Sequence, residues 1–127
     1  MTKAAVATGN APIAIGPYSQ AIAAGGLLFV SGQIPLDPRT GAMVEGGIEA
    51  QTERVIENVR AILKAGGCTT GDVVKTTIFL LDLADFGAIN AIYARAFEAP
   101  FPARATVQVA GLPKGARIEI EAIAVLP

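Results

Sequence analysis

The chain has 127 residues, the size of one domain with one hydrophobic core, and its charged fraction of 17% against a usual ~25%, beside 52% apolar residues, predicts a large apolar patch facing another copy. Ten basic and eleven acidic residues give a net charge of −1 with no basic stripe, which argues against a nucleic-acid binder. Histidine is absent and Cys68 is the lone cysteine, which excludes Ser–His–Asp and Cys–His nucleophile systems, His-ligated metals, an intrachain disulfide and a cysteine cluster.

The first 20 residues are short apolar pieces broken by Gly9, Asn10, Pro12, Gly16 and Pro17. They carry no apolar leader, and no run approaches the ~20 apolar residues of a transmembrane helix. A soluble, cytoplasmic protein with no membrane partner is expected. Lys3 to Ala7 reads as an edge strand and Gly9 to Tyr18 as a loop. Gln20 to Ala24 and Leu27 to Ser31 read as strands joined by Gly25-Gly26, a two-residue hairpin signal. Ser31-Gly32-Gln33 then ends the strand. Asp37-Pro38-Arg39-Thr40-Gly41 has the pattern of a type I turn.

The spacing predicts a helix from Ile48 to Ala65. Val55, Ile56, Val59, Ile62 and Leu63 fall on one face of a 3.6-residue period, and Gly66-Gly67 stops it. Val73 to Leu81 is β-branched and aromatic, hence a strand. Asp82 or Asp85 caps a second helix that runs to about Glu98, with Phe86, Ile89, Tyr93 and Phe97 as its apolar face, before Pro100 and Pro102. Ala105 to Val109 and Arg117 to Val125 are the closing strands. The order β-β-β-α-β-α-β-β predicts one α+β domain over residues 1–127, a single mixed six-stranded sheet with both helices packed on one face. Its other face is left for a partner.

Chemistry has few places to sit. Period-two alternation puts Arg104, Thr106 and Gln108 on one face of their strand, and Arg117, Glu119 and Glu121 on one face of theirs. Such rows are equally the solvated surface of a sheet, or an Arg–Glu pair across neighbouring strands worth only ~0–1 kcal/mol if exposed. The sharper reading is a guanidinium on a rigid strand, stiffened by Pro102, that takes a small carboxylate bidentately. A glutamate held away from bulk water can then orient a hydrolytic water. Gly16-Pro17-Tyr18-Ser19 presents a phenol on a turn, and Gly32 leaves room for a ligand near the backbone; loop packing and a strand end are the plain alternatives. Glycine pairs elsewhere form no dinucleotide fingerprint or phosphate loop. Cys68 follows the negative end of a helix, which disfavours a thiolate, and reads as structural.

Together, Ala14-Ile15-Gly16-Pro17-Tyr18-Ser19-Gln20, Val30-Ser31-Gly32-Gln33-Ile34-Pro35, Phe101-Pro102-Ala103-Arg104-Ala105-Thr106-Val107 and Arg117 to Val125 resemble the RidA/YjgF family of enamine/imine deaminases over essentially the whole chain. The resemblance implies a chorismate-mutase-like fold and a homotrimer with clefts between subunits. It implies hydrolytic deamination of 2-aminoacrylate/2-iminopropionate-type intermediates to 2-keto acids and ammonia, without a cofactor or metal. In that scheme Arg104 binds the substrate carboxylate and Glu119 positions the attacking water. Tyr18, Ser31 and Gly32 line the pocket, Asn90 helps close it, and Thr106 stands where the family often has Cys. Pyridoxal-phosphate dehydratases would supply the substrate. Two other readings stay open: a non-enzymatic trimer that binds 2-keto acids through Arg104, and an RNA-cleaving protein of the kind reported for some relatives, which the charge and the missing histidine oppose.

Overall fold

The computed structural model describes residues 2–127. Six strands form one sheet: β1 (Ala4–Val6), β2 (Ala21–Ala24), β3 (Leu27–Gln33), β4 (Val73–Leu80), β5 (Ala103–Gln108) and β6 (Ile118–Val125), in the spatial order β1-β2-β3-β6-β4-β5. Every pair is antiparallel except β4 with β5, which are parallel. Parallel neighbours need a crossover, and the helix α2 (Phe86–Ala96) provides it. Helix α1 (Ile48–Ala65) joins β3 to the second half of the chain. The predicted order and class hold.

The local reasons are those of the sequence. The β2–β3 hairpin turns on Gly25 and Gly26, with φ of 60° and 77°, as a twist-matched two-residue turn requires. Helix α1 buries Val55, Ile56, Val59, Ile62 and Leu63, the predicted face. Each such side chain contributes roughly 1.5–3 kcal/mol when fully buried. Asn58, also buried on α1, donates to the carbonyls of Ile34 and Leu36 at 3.2 and 3.0 Å and so fixes the chain leaving β3.

The core lies between the helices and one face of the sheet. Leu28 and Val30 of β3, Thr76, Ile78 and Leu80 of β4, and Ile118, Ile120, Ala122 and Ala124 of β6 all point there and are buried. No element of the described residues covers the opposite face. Phe29, Val107 and Val125 are 41–45% exposed on it, beside Lys75, Thr77 and Glu121. Part of the exposed apolar surface is therefore on this sheet face, and Ile13, Ile15, Phe86 and Phe101 are exposed elsewhere.

Several boundaries differ from expectation: β1, β2, β4 and β6 are each shorter by a residue at one or both ends, and others change more. Strand β3 runs on through Ser31 and Gly32 to Gln33, because a register shift against β6 between Val30 and Gln33 absorbs the glycine. Strand β5 begins at Ala103 and ends at Gln108, so Arg104 lies inside it. Asp82 accepts from Ala84 N–H at 2.9 Å and caps a 3-10 turn (Leu83–Asp85); Asp85, the other expected start, stands at the N-cap position of α2, which ends at Ala96, short of Glu98. No helix is long and apolar enough to cross a membrane, among the described residues.

Candidate active site

Arg104 pairs in register with Thr76 of β4, whose side chain is in the core. That places Arg104 on the helix side of the sheet, under α2. Its guanidinium carbon stands 4.8 Å from the Tyr93 ring centroid and 5.5 Å from that of Phe86, both on α2. Tyr93 is itself fixed. Its hydroxyl meets Thr76 Oγ1 at 2.7 Å in the core, and its ring stacks on Phe97 at 4.4 Å. Burial pushes the Tyr93 phenol above its ordinary pKa, against smaller opposing effects of Thr76 and Arg104, so it remains neutral.

Arg104 forms no ion pair among the described residues, although four other arginines do: Arg39 with Asp37, Arg60 with Glu57, Arg95 with Glu53 and Arg117 with Asp85. Aromatic faces hold a cation without occupying its N–H donors. Its fork is therefore available to an outside carboxylate. Asn90, Tyr93, Ala94, Phe101, Pro102 and Arg104 line an open cleft of ≈ 300 Å³. Asn90 Oδ1 and Thr106 Oγ1 are buried without a hydrogen-bond partner among the described residues. An unmet buried polar atom costs about 1–3 kcal/mol, so a polar group entering there would be favoured.

Glu119 lies on the other side of the sheet. It pairs with Phe79, while its neighbours Ile118 and Ile120 face the core. Its carboxyl sits over Gly32: a Cβ added there would come within 2.8 Å of Glu119 Cδ and closer still to Oε2. Glycine at this position is thus what makes room for the carboxylate. Burial pushes the Glu119 pKa up, and the nearby charge of Glu121 adds to the rise. Pro12, Ile13, Ile15, Tyr18, Gly32 and Glu119 help line a cavity of ≈ 240 Å³ that is largely apolar, with Lys114, Gln20 and Gln33 also on its wall. Tyr18 is half exposed, and its hydroxyl accepts from Ile15 N–H at 3.4 Å. Ser31 donates its hydroxyl proton to Ser19 O at 2.6 Å, which leaves its lone pairs free to accept.

The predicted site residues therefore form two groups. Arg104, Thr106 and Asn90 come together at the β5 edge under α2. Glu119, Gly32 and Tyr18 come together on the open side, while Ser31 adjoins Gly32 but does not line their cavity. The two groups lie on opposite faces of one sheet. An Arg–Glu pair across neighbouring strands does not exist, because β5 borders β4 and not β6. Arg117 also leaves the acidic row. It precedes β6, and its guanidinium donates to both Asp85 oxygens at 3.0 and 2.9 Å, while its N–H donates to Gln51 Oε1 at 2.9 Å. That ties the start of α2, and so the aromatic support of Arg104, to β6. Cys68 is buried, and burial with the charge of Asp72 raises its thiol pKa, in keeping with a structural role.

Sequence reasoning took Phe86 and Tyr93 for a packing face and missed that they carry Arg104. Their seven-residue spacing on the predicted helix, followed by an arginine on the next strand, was the available signal.

Residues 8–126 match the family model described as Endoribonuclease L-PSP. A 2-iminobutanoate/2-iminopropanoate deaminase from Salmonella typhimurium is 54% identical over 123 residues, 94% of this chain and 95% of that protein. The human protein of the same name is 50% identical over 120 residues, 94% of this chain and 88% of its own. The crystal structure of the YjgF gene product of E. coli superposes with a TM-score of 0.90 at 49% identity, covering 96% of this chain and 98% of that one.

Proposed function

The chain belongs to the Endoribonuclease L-PSP (RidA/YjgF) family, and we infer that it is a hydrolytic deaminase that converts reactive 2-imino acids and their 2-enamino tautomers to 2-keto acids and ammonia. The observation that carries this reading is Arg104. It is a guanidinium held by aromatic rings and free of any acid among the described residues, with the unmet Thr106 hydroxyl able to donate to a carboxylate and the unmet Asn90 Oδ1 able to accept from a substrate N–H. Such a site is a receptor for a small carboxylate.

The enamine tautomerises to the imine by moving a proton onto its β-carbon. Arg104 holds the carboxylate and so orients the adjacent C=N carbon. Glu119, as carboxylate, accepts a proton from a water as the water oxygen bonds to that carbon. Glu119 returns that proton to the nitrogen to give the carbinolamine, then passes the carbinolamine O–H proton to the nitrogen, and ammonia leaves as the C=O forms. Partial burial raises the proton affinity of Glu119, which suits a general base. Arg104 and Tyr18 bind and orient; only Glu119 moves a proton.

A substrate of a few heavy atoms cannot reach through a β-sheet. On this reading the Arg104 cleft of one copy closes against the Glu119 cavity of the next, in a homotrimer. The exposed rings of Phe86 and Phe101 around the cleft, and Phe29, Val107 and Val125 exposed on the sheet, support an assembly of that kind. The protein would work in the cytoplasm, on intermediates released by pyridoxal-phosphate dehydratases. The net charge of −1 and the absence of histidine speak against RNA cleavage.

The test is a coupled assay with a threonine or serine dehydratase. The chain should accelerate keto-acid and ammonia release over free solution. Equal rates with and without it would refute the deaminase. Calorimetric binding of 2-ketobutyrate under those same conditions would instead establish a carboxylate-binding regulator.

A further inference from the structure

The Glu119 cavity has an unusual wall. Residues 8–19 contain neither helix nor strand, yet Pro12, Ile13, Ile15 and Tyr18 of this segment face the acid. Among the described residues, the one backbone–backbone hydrogen bond within it is Tyr18 N–H to Gly16 O, at 2.8 Å. A segment so poor in its own hydrogen bonds needs an outside support to hold one shape.

The support is Gln20, 4% exposed at the mouth of β2. Its side chain folds back into the segment. Oε1 accepts from Thr8 N–H at 2.7 Å. Nε2 donates to Pro12 O at 2.8 Å, Thr8 O at 3.1 Å and Ala11 O at 3.3 Å, two protons shared among three carbonyls. The carbonyl of Gln20 in turn accepts from Ser31 N–H at 2.9 Å. One residue therefore joins Thr8, Ala11 and Pro12, at the start of that wall, to the bulge that carries Ser31 and Gly32, the glycine under Glu119. Only a carboxamide of this length supplies both the acceptor and the donors. A glutamate would set a carboxylate against three carbonyls, and an apolar side chain would strand four backbone groups.

We propose that Gln20 is a positioning residue for the deamination site: it borders the Glu119 cavity, but its amide is spent on Thr8, Ala11 and Pro12, and it thereby sets the wall against which the substrate is held. This rests on the deaminase reading given above. A residue that shapes the binding wall without joining the proton transfer acts on ground-state binding, so its loss raises KM and leaves kcat.

The experiment uses Gln20→Met, close in shape and without hydrogen bonds. It measures kcat and KM in the dehydratase-coupled assay, the Kd for 2-ketobutyrate by calorimetry, and amide exchange along the chain. KM and Kd should rise about tenfold, kcat should stay within about threefold, and exchange should quicken in residues 8–19 but not in β4 or β6. A fall in kcat that tracks the folded fraction, with KM unchanged, would mean a merely structural residue and overturn the proposal. So would unchanged KM and Kd beside a loosened segment. If the wild type binds 2-ketobutyrate without turnover, the deaminase reading fails and Gln20 is judged on Kd and exchange alone. If Gln20→Met does not fold, Gln20→Asn, one methylene too short for all four partners, is measured for the same rise in KM and Kd, and its absence overturns the proposal.

Discussion

Gly32→Ala separates catalysis from stability in this molecule. Gly32 does not have a positive φ, so alanine is compatible with its backbone. The new Cβ would stand 2.8 Å from Glu119 Cδ and 3.1 Å from Cγ, where ordinary contact begins at 3.4 Å. The carboxyl carbon must retreat by about 0.6 Å, and the nearer oxygen by more, on the order of 1 Å. The displaced group is the far end of a flexible side chain rather than backbone, so folding should lose no more than about 1 kcal/mol. A 1 Å displacement of a group that aims a water can cost about 10²-fold in rate, or ~2.7 kcal/mol of barrier. The variant should therefore show a kcat/KM for imine hydrolysis lowered about a hundredfold, with a Tm within a few degrees of wild type. The assays are the dehydratase-coupled rate and thermal unfolding at matched concentration. Activity within threefold of wild type would refute the assignment of Glu119 as the water-positioning base.

Two further substitutions probe the two halves of the site. Arg104→Lys keeps the charge but not the fork, and should lose at least ~1.4 kcal/mol of substrate binding, seen as a tenfold or greater drop in kcat/KM; near-wild-type kinetics would remove the bidentate role. Glu119→Gln should abolish the general base. The wild-type kcat/KM should fall on acidification through a pKa above the usual ~4.3 of a glutamate, because burial raises it, and Glu119→Gln should lose that limb. Its stability should move the other way. A raised carboxyl pKa means that the folded state binds the proton more tightly, so the contribution is present at low pH and is lost as pH rises through the folded pKa. Glu119→Gln should thus melt at or above the wild-type temperature at pH 7–8, an advantage that shrinks below the usual glutamate range. Destabilisation at pH 8 would contradict the desolvation of Glu119.

Much of the fold was legible because it rests on local pattern. Helix α1 spans five turns of unbroken periodicity between glycines, so its limits, Ile48 and Ala65, follow from spacing alone. The β2–β3 hairpin is equally local, since glycine is the residue that accepts its turn. The site was legible only as a list. Alternation shows that Arg104 and Thr106 share a face, and likewise Glu119 and Glu121, but period two does not say which side of the sheet each face becomes. Register decides that: Arg104 against Thr76, and Glu119 against Phe79, put the two rows on opposite sides. The end of β3 escaped for a related reason. Gly32 reads as a stop, but pairing with β6 carries the strand across it as a bulge. Gln20 left no local trace, because its four hydrogen bonds run to backbone 8 to 12 residues away.

The central claim is that one active site takes Arg104 from one chain and Glu119 from another. Mixing two inactive variants measures it directly. Arg104→Ala and Glu119→Gln are each purified, unfolded together at equal concentration and refolded, and imine hydrolysis is assayed in the coupled system. In a cyclic oligomer with random assembly, a site is whole when a Glu119→Gln chain supplies Arg104 and its neighbour, an Arg104→Ala chain, supplies Glu119, which occurs at about one site in four. The account predicts recovery of roughly a quarter of wild-type activity from two inactive parents. Mixed oligomers that form but remain as inactive as either parent would contradict it.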